Sequence, residues 1–128
     1  MNRFWLVTGS VCMLLALAIA AASGHATPGE FVPTGRQVLD TARELHIVHA
    51  LALLLLGVLS PNVGNAKLKA LAGTAFVAGI LLFPGGIYAS RLLGIEAVRP
   101  LIPAGGISFM LGWLLLAVAV LRQPASRP

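Results

Sequence analysis

The residues of this sequence best suited to chemistry are its histidines. His46 and His49 are three positions apart, so a helix would place both side chains on one face. Imidazole nitrogens bind haem iron and other metals. A haem site would need a second axial ligand from another segment, and His25 is the one remaining histidine. The alternative is that His46 and His49 form hydrogen bonds between helices or lie at a membrane surface.

A zinc site receives less support, because zinc takes about four protein or water ligands. The chain has one cysteine, Cys12, inside the first apolar run, and this residue has no partner for an internal disulfide. We therefore keep His25, His46 and His49 as candidate ligands but expect no bound cofactor or metal.

Other groups that carry out catalysis are sparse. Ser108 lies in an apolar run, where its hydroxyl is predicted to bond the preceding helical turn. No glycine loop precedes a basic residue and a Ser or Thr, as in phosphate-binding loops. Every Asp, Glu, Lys and Arg falls in a connecting segment or at a helix end, which argues against an ion pathway through one copy of the chain. We expect no enzymatic activity.

Composition shows which environment must position these residues. Of the 128 residues, 58% are hydrophobic and 10% are charged, and the mean hydropathy is +0.91. Soluble domains carry about 25% charged residues. The net charge of +5 is scattered between apolar runs and forms no continuous patch for nucleic acid. The predicted partner is the lipid bilayer.

The apolar runs predict an all-α integral membrane four-helix bundle built from two antiparallel transmembrane hairpins. About 20 residues suffice to cross the hydrocarbon core. The first run also fits a secretory signal peptide. Asp40 suits the N-cap or first turn of the second helix, and Pro84 predicts a kink or break in the third. The chain is predicted to be one domain, 1–128, with helices over about 4–22, 42–60, 67–91 and 101–121 and a tail over 122–128.

Two glycine-rich stretches, residues 79–88 and 103–113, predict where helices pack closely, because small residues let helix backbones approach in lipid. The pattern G-x-x-F-x-x-G occurs at 73–79 and again at 106–112, which we interpret as chance rather than as an internal repeat. The Gly85-Gly86 pair is assigned to packing in preference to lining a pore or lipid pocket. The predicted packing residues are Gly73, Gly79, Pro84, Gly85, Gly86, Ala104, Gly105, Gly106, Ser108 and Gly112.

The ends of the predicted helices indicate an orientation. Four spans place both termini on one side, which holds five Lys and Arg residues against four on the other side. Because cytoplasmic loops carry the excess of Lys and Arg, we predict that both termini are cytoplasmic. Trp5, Tyr88 and Trp113 are expected to act as interfacial anchors, although Trp113 also suits a deeper position.

Several stretches resemble a known family, the "domain of unknown function 423" proteins. These are small bacterial inner-membrane proteins similar to the eukaryotic transmembrane protein 256 group. The resemblance covers residues 40–121 and implies a multi-helix inner-membrane protein with no established activity and no catalytic residues. Leu45, His46 and Pro84 depart from the family pattern. The matching residues are 49–54, Ala72, Gly73, 79–83, Gly85, Tyr88, Pro103, Gly105, Gly106, Gly112 and Trp113.

Three functional hypotheses follow. The first is a structural, accessory or assembly component of a larger membrane complex, favoured by small size, small-residue helix faces and short loops. The second is a small transporter or channel that works as an oligomer, with its pathway between copies. The third is a haem-binding membrane protein. The expected partners are the bilayer and either other membrane subunits or further copies of the chain.

Overall fold

The computed structural model describes residues 2–24, 33–59 and 61–122, and His25 lies outside them. The described residues form α1 (Arg3–Gly24), α2 (Pro33–Val58), α3 (Ala66–Leu82), α4 (Pro84–Leu92), a 3₁₀ helix (Glu96–Leu101) and α5 (Ile102–Leu121). Within these residues, four helical segments are long and apolar enough to cross a membrane: Arg3–Ser23, Gly35–Val58, Ala66–Leu92 and Glu96–Leu121. The predicted all-α membrane architecture is confirmed.

The helices pack as two antiparallel hairpins. In the first, α1 lies along α2, and in the second, α3 lies along α5, while α2 also contacts α3 and α4. The larger core cluster joins the two hairpins and includes Trp5, Leu53, Phe76 and Phe109. A smaller cluster around Leu39, Ile87 and Tyr88 joins α2 to α4.

Large side chains lie directly on glycines in the second hairpin. The Phe109 ring of α5 covers Gly79 of α3, and a Cβ at Gly79 would overlap that ring. In the other direction, the Phe76 ring of α3 covers Gly112 of α5, where a Cβ would lie 2.5 Å from the ring. The two G-x-x-F-x-x-G patterns therefore form a reciprocal contact, with each phenylalanine filling the space above the other helix's glycine.

The same kind of contact holds the remaining interfaces. In the first hairpin, a Cβ at Gly57 of α2 would lie 2.6 Å from the Leu6 side chain of α1. Between the hairpins, a Cβ at Gly73 would lie 2.5 Å from the Trp5 ring. Trp5 is only 7% exposed, so it is a core residue as well as a candidate interfacial anchor.

The third span breaks where the proline predicts. Pro84 lacks an N–H, so the Ile80 carbonyl receives no helical hydrogen bond from it. α3 ends at Leu82 and α4 begins at Pro84, while the Phe83 N–H still donates to the Gly79 carbonyl at 2.8 Å. Gly105 of α5 packs against the backbone at Phe83, where a Cβ would overlap it. The break is thus covered by protein, as irregular backbone within a bilayer must be.

The second helix begins well before the predicted start near residue 42, so the prediction of Asp40 as N-cap or first-turn residue is wrong. Pro33 and Gly35 were predicted to belong to a connection, because both residue types interrupt helices, yet α2 begins at Pro33. A proline in the first turn costs no intrahelical hydrogen bond, since those N–H groups have no helical acceptor. The predicted loop over 92–100 also differs, because it contains most of the 3₁₀ helix Glu96–Leu101.

The turn between α2 and α3 binds to the end of α5. Gly64 has φ +75°, and a Cβ there would lie 2.8 Å from the Ala119 carbonyl oxygen, so both conformation and space favour glycine. The next residue, Asn65, donates its N–H to that carbonyl at 2.8 Å. The Asn65 side chain caps α3 by accepting from the N–H groups of Lys67 and Leu68.

The glycine contacts predict a contrast between two matched substitutions. Gly79→Ala adds a methyl group that overlaps the Phe109 ring, so we expect the free energy of unfolding in detergent to fall by about 1–3 kcal/mol. Gly106→Ala adds the same group where the nearest atom is 3.7 Å away. That variant should match the parent or gain up to about 1 kcal/mol from helix propensity. Equal losses in both variants would contradict the reciprocal contact.

Candidate functional site

His49 lies in the middle of the bundle with both ring nitrogens occupied. Its Nε2 accepts a hydrogen bond from the Trp113 indole N–H at 3.0 Å, and its Nδ1 lies 2.7 Å from the Leu45 carbonyl oxygen. An indole nitrogen only donates, and a carbonyl oxygen only accepts. His49 is therefore neutral and carries its proton on Nδ1. The hydrogen bond from Trp113 joins α5 to α2, whereas the bond to Leu45 stays within α2.

Aromatic rings enclose His49. Its imidazole stacks on Phe109 with ring centroids 3.5 Å apart and an interplanar angle of 10°. The ring centroid of Phe76 lies 5.5 Å from that of the imidazole, and the ring centroid of Trp113 lies 5.0 Å from that of Phe76. We call this group of four rings, His49, Phe76, Phe109 and Trp113, the His49 cluster. It contains both phenylalanines of the reciprocal glycine contact. The hydrogen bond between His49 and Trp113 therefore depends on the packing of α3 against α5.

His46 points to a different helix. Its Nδ1 lies 3.3 Å from the Tyr88 hydroxyl of α4, and the imidazole is only 4% exposed. Its Nε2 is buried without a hydrogen-bond partner among the described residues. The backbone of Cys12 on α1 interacts with the same ring but falls short of hydrogen-bond geometry. His46 thus ties α2 to α4 through one long hydrogen bond.

These positions bear on the candidate haem or metal site. Both ring nitrogens of His49 are hydrogen-bonded, so an iron atom bound to either nitrogen would have to displace Trp113 or Leu45. His46 and His49 form side-chain hydrogen bonds to different helices, α4 and α5. Among the described residues, no three His, Cys, Asp or Glu side chains are grouped as a metal site would need. The alternative prediction for these histidines, hydrogen bonding between helices, matches the observed geometry.

The prediction for Ser108 is wrong. Its hydroxyl donates to the Ala75 carbonyl of α3 at 2.7 Å instead of bonding the preceding turn of α5. The close approach of α3 and α5 at their glycines brings the Ala75 carbonyl within reach of the Ser108 hydroxyl. Thr74 behaves in the way expected of Ser108, since its hydroxyl bonds the Ala70 carbonyl of its own helix at 3.0 Å.

Comparison with known proteins identifies the family. Residues 7–106 match the family described as "Protein of unknown function (DUF423)". The chain belongs to the DUF423 family. This confirms the resemblance seen in the glycine-rich stretches and extends it over most of α1.

Curated relatives of this DUF423 member cover nearly its whole length. The UPF0382 membrane protein YwdK of Bacillus subtilis is 28% identical over 120 residues, which is 94% of this chain and 98% of the relative. The UPF0382 membrane protein SAB0533 of Staphylococcus aureus is 28% identical over 121 residues, 94% of this chain and 97% of the relative. No solved structure matches the chain. The names of these bacterial relatives describe them as membrane proteins, which agrees with the membrane-spanning character of the helices.

The predicted packing residues of the DUF423 member fall into two groups. One group lies in close contacts between elements, where a Cβ on a glycine would crowd a neighbour. A Cβ at Gly86, for example, would lie 2.8 Å from the Ile102 side chain. The close group contains Gly73, Gly79, Pro84, Gly86, Gly105, Ser108 and Gly112.

The other group is looser. Ala104 is exposed, and a Cβ at Gly106 would meet Phe83 at an ordinary 3.7 Å. A Cβ at Gly85 would approach only the Ile80 carbonyl oxygen of its own span, at 3.2 Å. Gly85 therefore relieves crowding at the proline break, whereas Gly86 allows the next segment to pack on α4.

The hydrogen-bond partners of the two histidines were not predicted from the sequence. Trp113 and Tyr88 were interpreted as interfacial anchors, yet Trp113 bonds His49 and Tyr88 bonds His46. Trp113 stands 64 positions from His49, so local spacing carries no signal of that pairing. The middle position of Trp113 in an apolar run was the available hint, since an indole N–H surrounded by lipid and protein, away from water, requires an acceptor.

Trp113→Phe tests the hydrogen bond to His49. The ring remains to pack on Phe76, but the Nε2 of His49 loses its donor. We expect the free energy of unfolding in detergent to fall by about 0.6–1.7 kcal/mol, from the average to the maximum found for interhelical hydrogen bonds by double-mutant cycles in a membrane protein. Nitrogen NMR should show the Nδ1-protonated tautomer of His49 in both proteins, because the Leu45 carbonyl still accepts its proton, while the Nε2 resonance shifts in the variant that lacks the indole donor. Met110→Leu, a change at an exposed position of α5, is the control. An unchanged Nε2 resonance and unchanged stability in Trp113→Phe would contradict the assignment.

Proposed function

We propose that this DUF423 protein is a non-enzymatic structural or assembly component of a larger membrane protein complex. The proposal is based on the hydrogen bonds that the buried and half-buried polar side chains form within the bundle. His46, His49 and Ser108 bond to other helices of the same chain, so these groups hold the bundle together rather than face a substrate. A rigid bundle of this kind acts through its outer surface.

The outer surface of α1 is the best candidate for a partner helix. α1 is the least covered of the four spans, with 17% of its most apolar window buried. Val7, Val11, Leu14 and Ala18 lie at i, i+4, i+7 and i+11 and are all exposed. This spacing places them on one helix face. We call these four residues the α1 stripe, and we propose that a transmembrane helix of a different protein packs on it.

The proposed location is the bacterial inner membrane, with both termini in the cytoplasm. The count of Lys and Arg in the whole sequence, five on the side of the termini against four on the other, supports this orientation. The bundle end formed by the start of α1, the turn before α3 and the end of α5 carries only basic ionisable side chains among its described residues. These are Arg3, Lys67, Lys69 and Arg122, and we call this the basic end. Asp40, Glu44 and Glu96 belong to the opposite end.

Cross-linking from the α1 stripe tests the proposed complex. A photoreactive amino acid in place of Leu14, which is 66% exposed, should yield one defined adduct with a different membrane protein in native membranes. The same amino acid in place of Met110 on α5 is the matched control and should give only lipid adducts. Mass spectrometry of protein purified from native membranes in mild detergent should recover the same partner.

Other outcomes of this experiment would contradict the proposal. Recovery of the chain alone or as a homo-oligomer, with self-adducts only, would favour the oligomeric transporter or channel. A Soret band in the purified protein would favour the haem-binding alternative.

Orientation is tested separately with single cysteines in a Cys12→Ala background. Lys67→Cys places a thiol at the basic end, and Glu96→Cys places one at the opposite end. In intact spheroplasts, a membrane-impermeant maleimide should label the Glu96→Cys protein, while Lys67→Cys should require permeabilised cells. The reverse pattern would place both termini outside the cytoplasm.

A further inference from the structure

A cleft of about 450 Å³ opens at the basic end of the bundle. It lies between the start of α1, the end of α2 and the first turns of α3, and Arg3 and Lys69 line it from two different helices. Its position at the ends of the spanning segments corresponds to the headgroup region of a bilayer. Backbone contact sets this geometry, because the Asn2 N–H donates to the Gly57 carbonyl at 2.8 Å and so holds the start of α1 against α2.

The charge around the cleft has one sign. Arg3 and Lys69 contribute two cations directly, and Lys67 and Arg122 add two more at the same end of the described chain. None of the described carboxylates lines the cleft, and Asp40, Glu44 and Glu96 belong to the opposite end. An arginine and a lysine that line one cleft suit a phosphate group, which Arg binds through paired hydrogen bonds and Lys binds as a point charge.

The walls of the cleft are apolar. Trp5, Leu56, Leu59 and Ala70 line it together with the two cations. Trp5 and Leu56 are core residues, and Trp5 is seated on Gly73, so this part of the wall is held by the bundle. A free phosphate ion would leave such walls in contact with water. A phospholipid would place its phosphate on the cations and its glycerol and upper acyl carbons on the walls.

We propose that this cleft binds the phosphate of an anionic membrane phospholipid, with Arg3 and Lys69 as the phosphate contacts. The inference is independent of the proposed complex, because it rests on the cleft and its charges and not on the α1 stripe. With the basic end on the cytoplasmic side, as proposed above, the cleft resembles the basic pockets between spanning helices that bind anionic lipid headgroups. Bound lipid would join the start of α1 to the start of α3 and so connect the two hairpins at this end.

Native mass spectrometry of the detergent-purified protein tests the site with three probes: phosphatidylglycerol, phosphatidylcholine and inorganic phosphate. We expect one phosphatidylglycerol to bind and to raise the thermal midpoint saturably. Phosphatidylcholine should bind at least about tenfold more weakly, because its headgroup has no net charge. Millimolar inorganic phosphate should neither raise the midpoint nor displace the lipid.

Matched variants locate the binding. Arg3→Gln/Lys69→Gln should weaken phosphatidylglycerol binding by about tenfold or more. Lys67→Gln/Arg122→Gln removes the same charge from the same end, outside the cleft lining, and should weaken binding much less than Arg3→Gln/Lys69→Gln does. Ala70→Phe keeps both cations and fills the cleft from an exposed position, so a folded Ala70→Phe protein should also lose binding.

Three results would overturn the proposal. Equal binding by the parent and the Arg3→Gln/Lys69→Gln protein would remove these residues from the site. Equal losses in both double variants would reduce the effect to nonspecific surface charge. Displacement of the lipid by inorganic phosphate would identify a site for a soluble phosphate compound instead.

Discussion

The contact on which the rest of the structure depends is the pair of phenylalanine rings seated on glycines between α3 and α5. In a bilayer, apolar side chains gain little by leaving lipid for another helix, so helices associate through close packing and hydrogen bonds. Phe76 on Gly112 and Phe109 on Gly79 provide that packing in both directions. The resulting approach brings the Ser108 hydroxyl to the Ala75 carbonyl. It also positions the rings against which His49 stacks.

The His49 cluster connects the packed α3–α5 hairpin to α2 of the first hairpin. His49 belongs to α2, yet its imidazole is held by Phe109 and Trp113 of α5. Its neutral form suits the spanning region, because a charged imidazole in that position would be costly. Polar side chains in the middle of this protein therefore join helices, and the ionisable groups that meet water or headgroups lie at the bundle ends. The α1 stripe and the cleft at Arg3 are consequently the surfaces from which we infer function.

Much of the fold could be predicted from the sequence, because in a membrane the apolar runs of the chain determine the number and approximate position of the spanning helices. An apolar run of sufficient length must become a spanning helix to satisfy its backbone hydrogen bonds. Two prolines show that residue type alone does not determine where a helix breaks or begins. Pro84 lies inside an apolar run and breaks the third span, whereas Pro33 precedes one and begins α2. The residue type is the same, and the difference depends on whether the missing N–H would have had an acceptor in the helix.

The sequence by itself determined the environment, the number of spans, the break at Pro84 and the likeness to the DUF423 family, because composition, run length and motif order are read along the chain. Only the tertiary structure decided which helix each polar side chain bonds. Trp113 with His49, Tyr88 with His46 and Ser108 with Ala75 each join positions far apart in the chain. The same holds for the cleft, whose cations come from α1 and α3. Such pairings depend on how two helices are rotated and how closely they approach, and the glycine contacts set both.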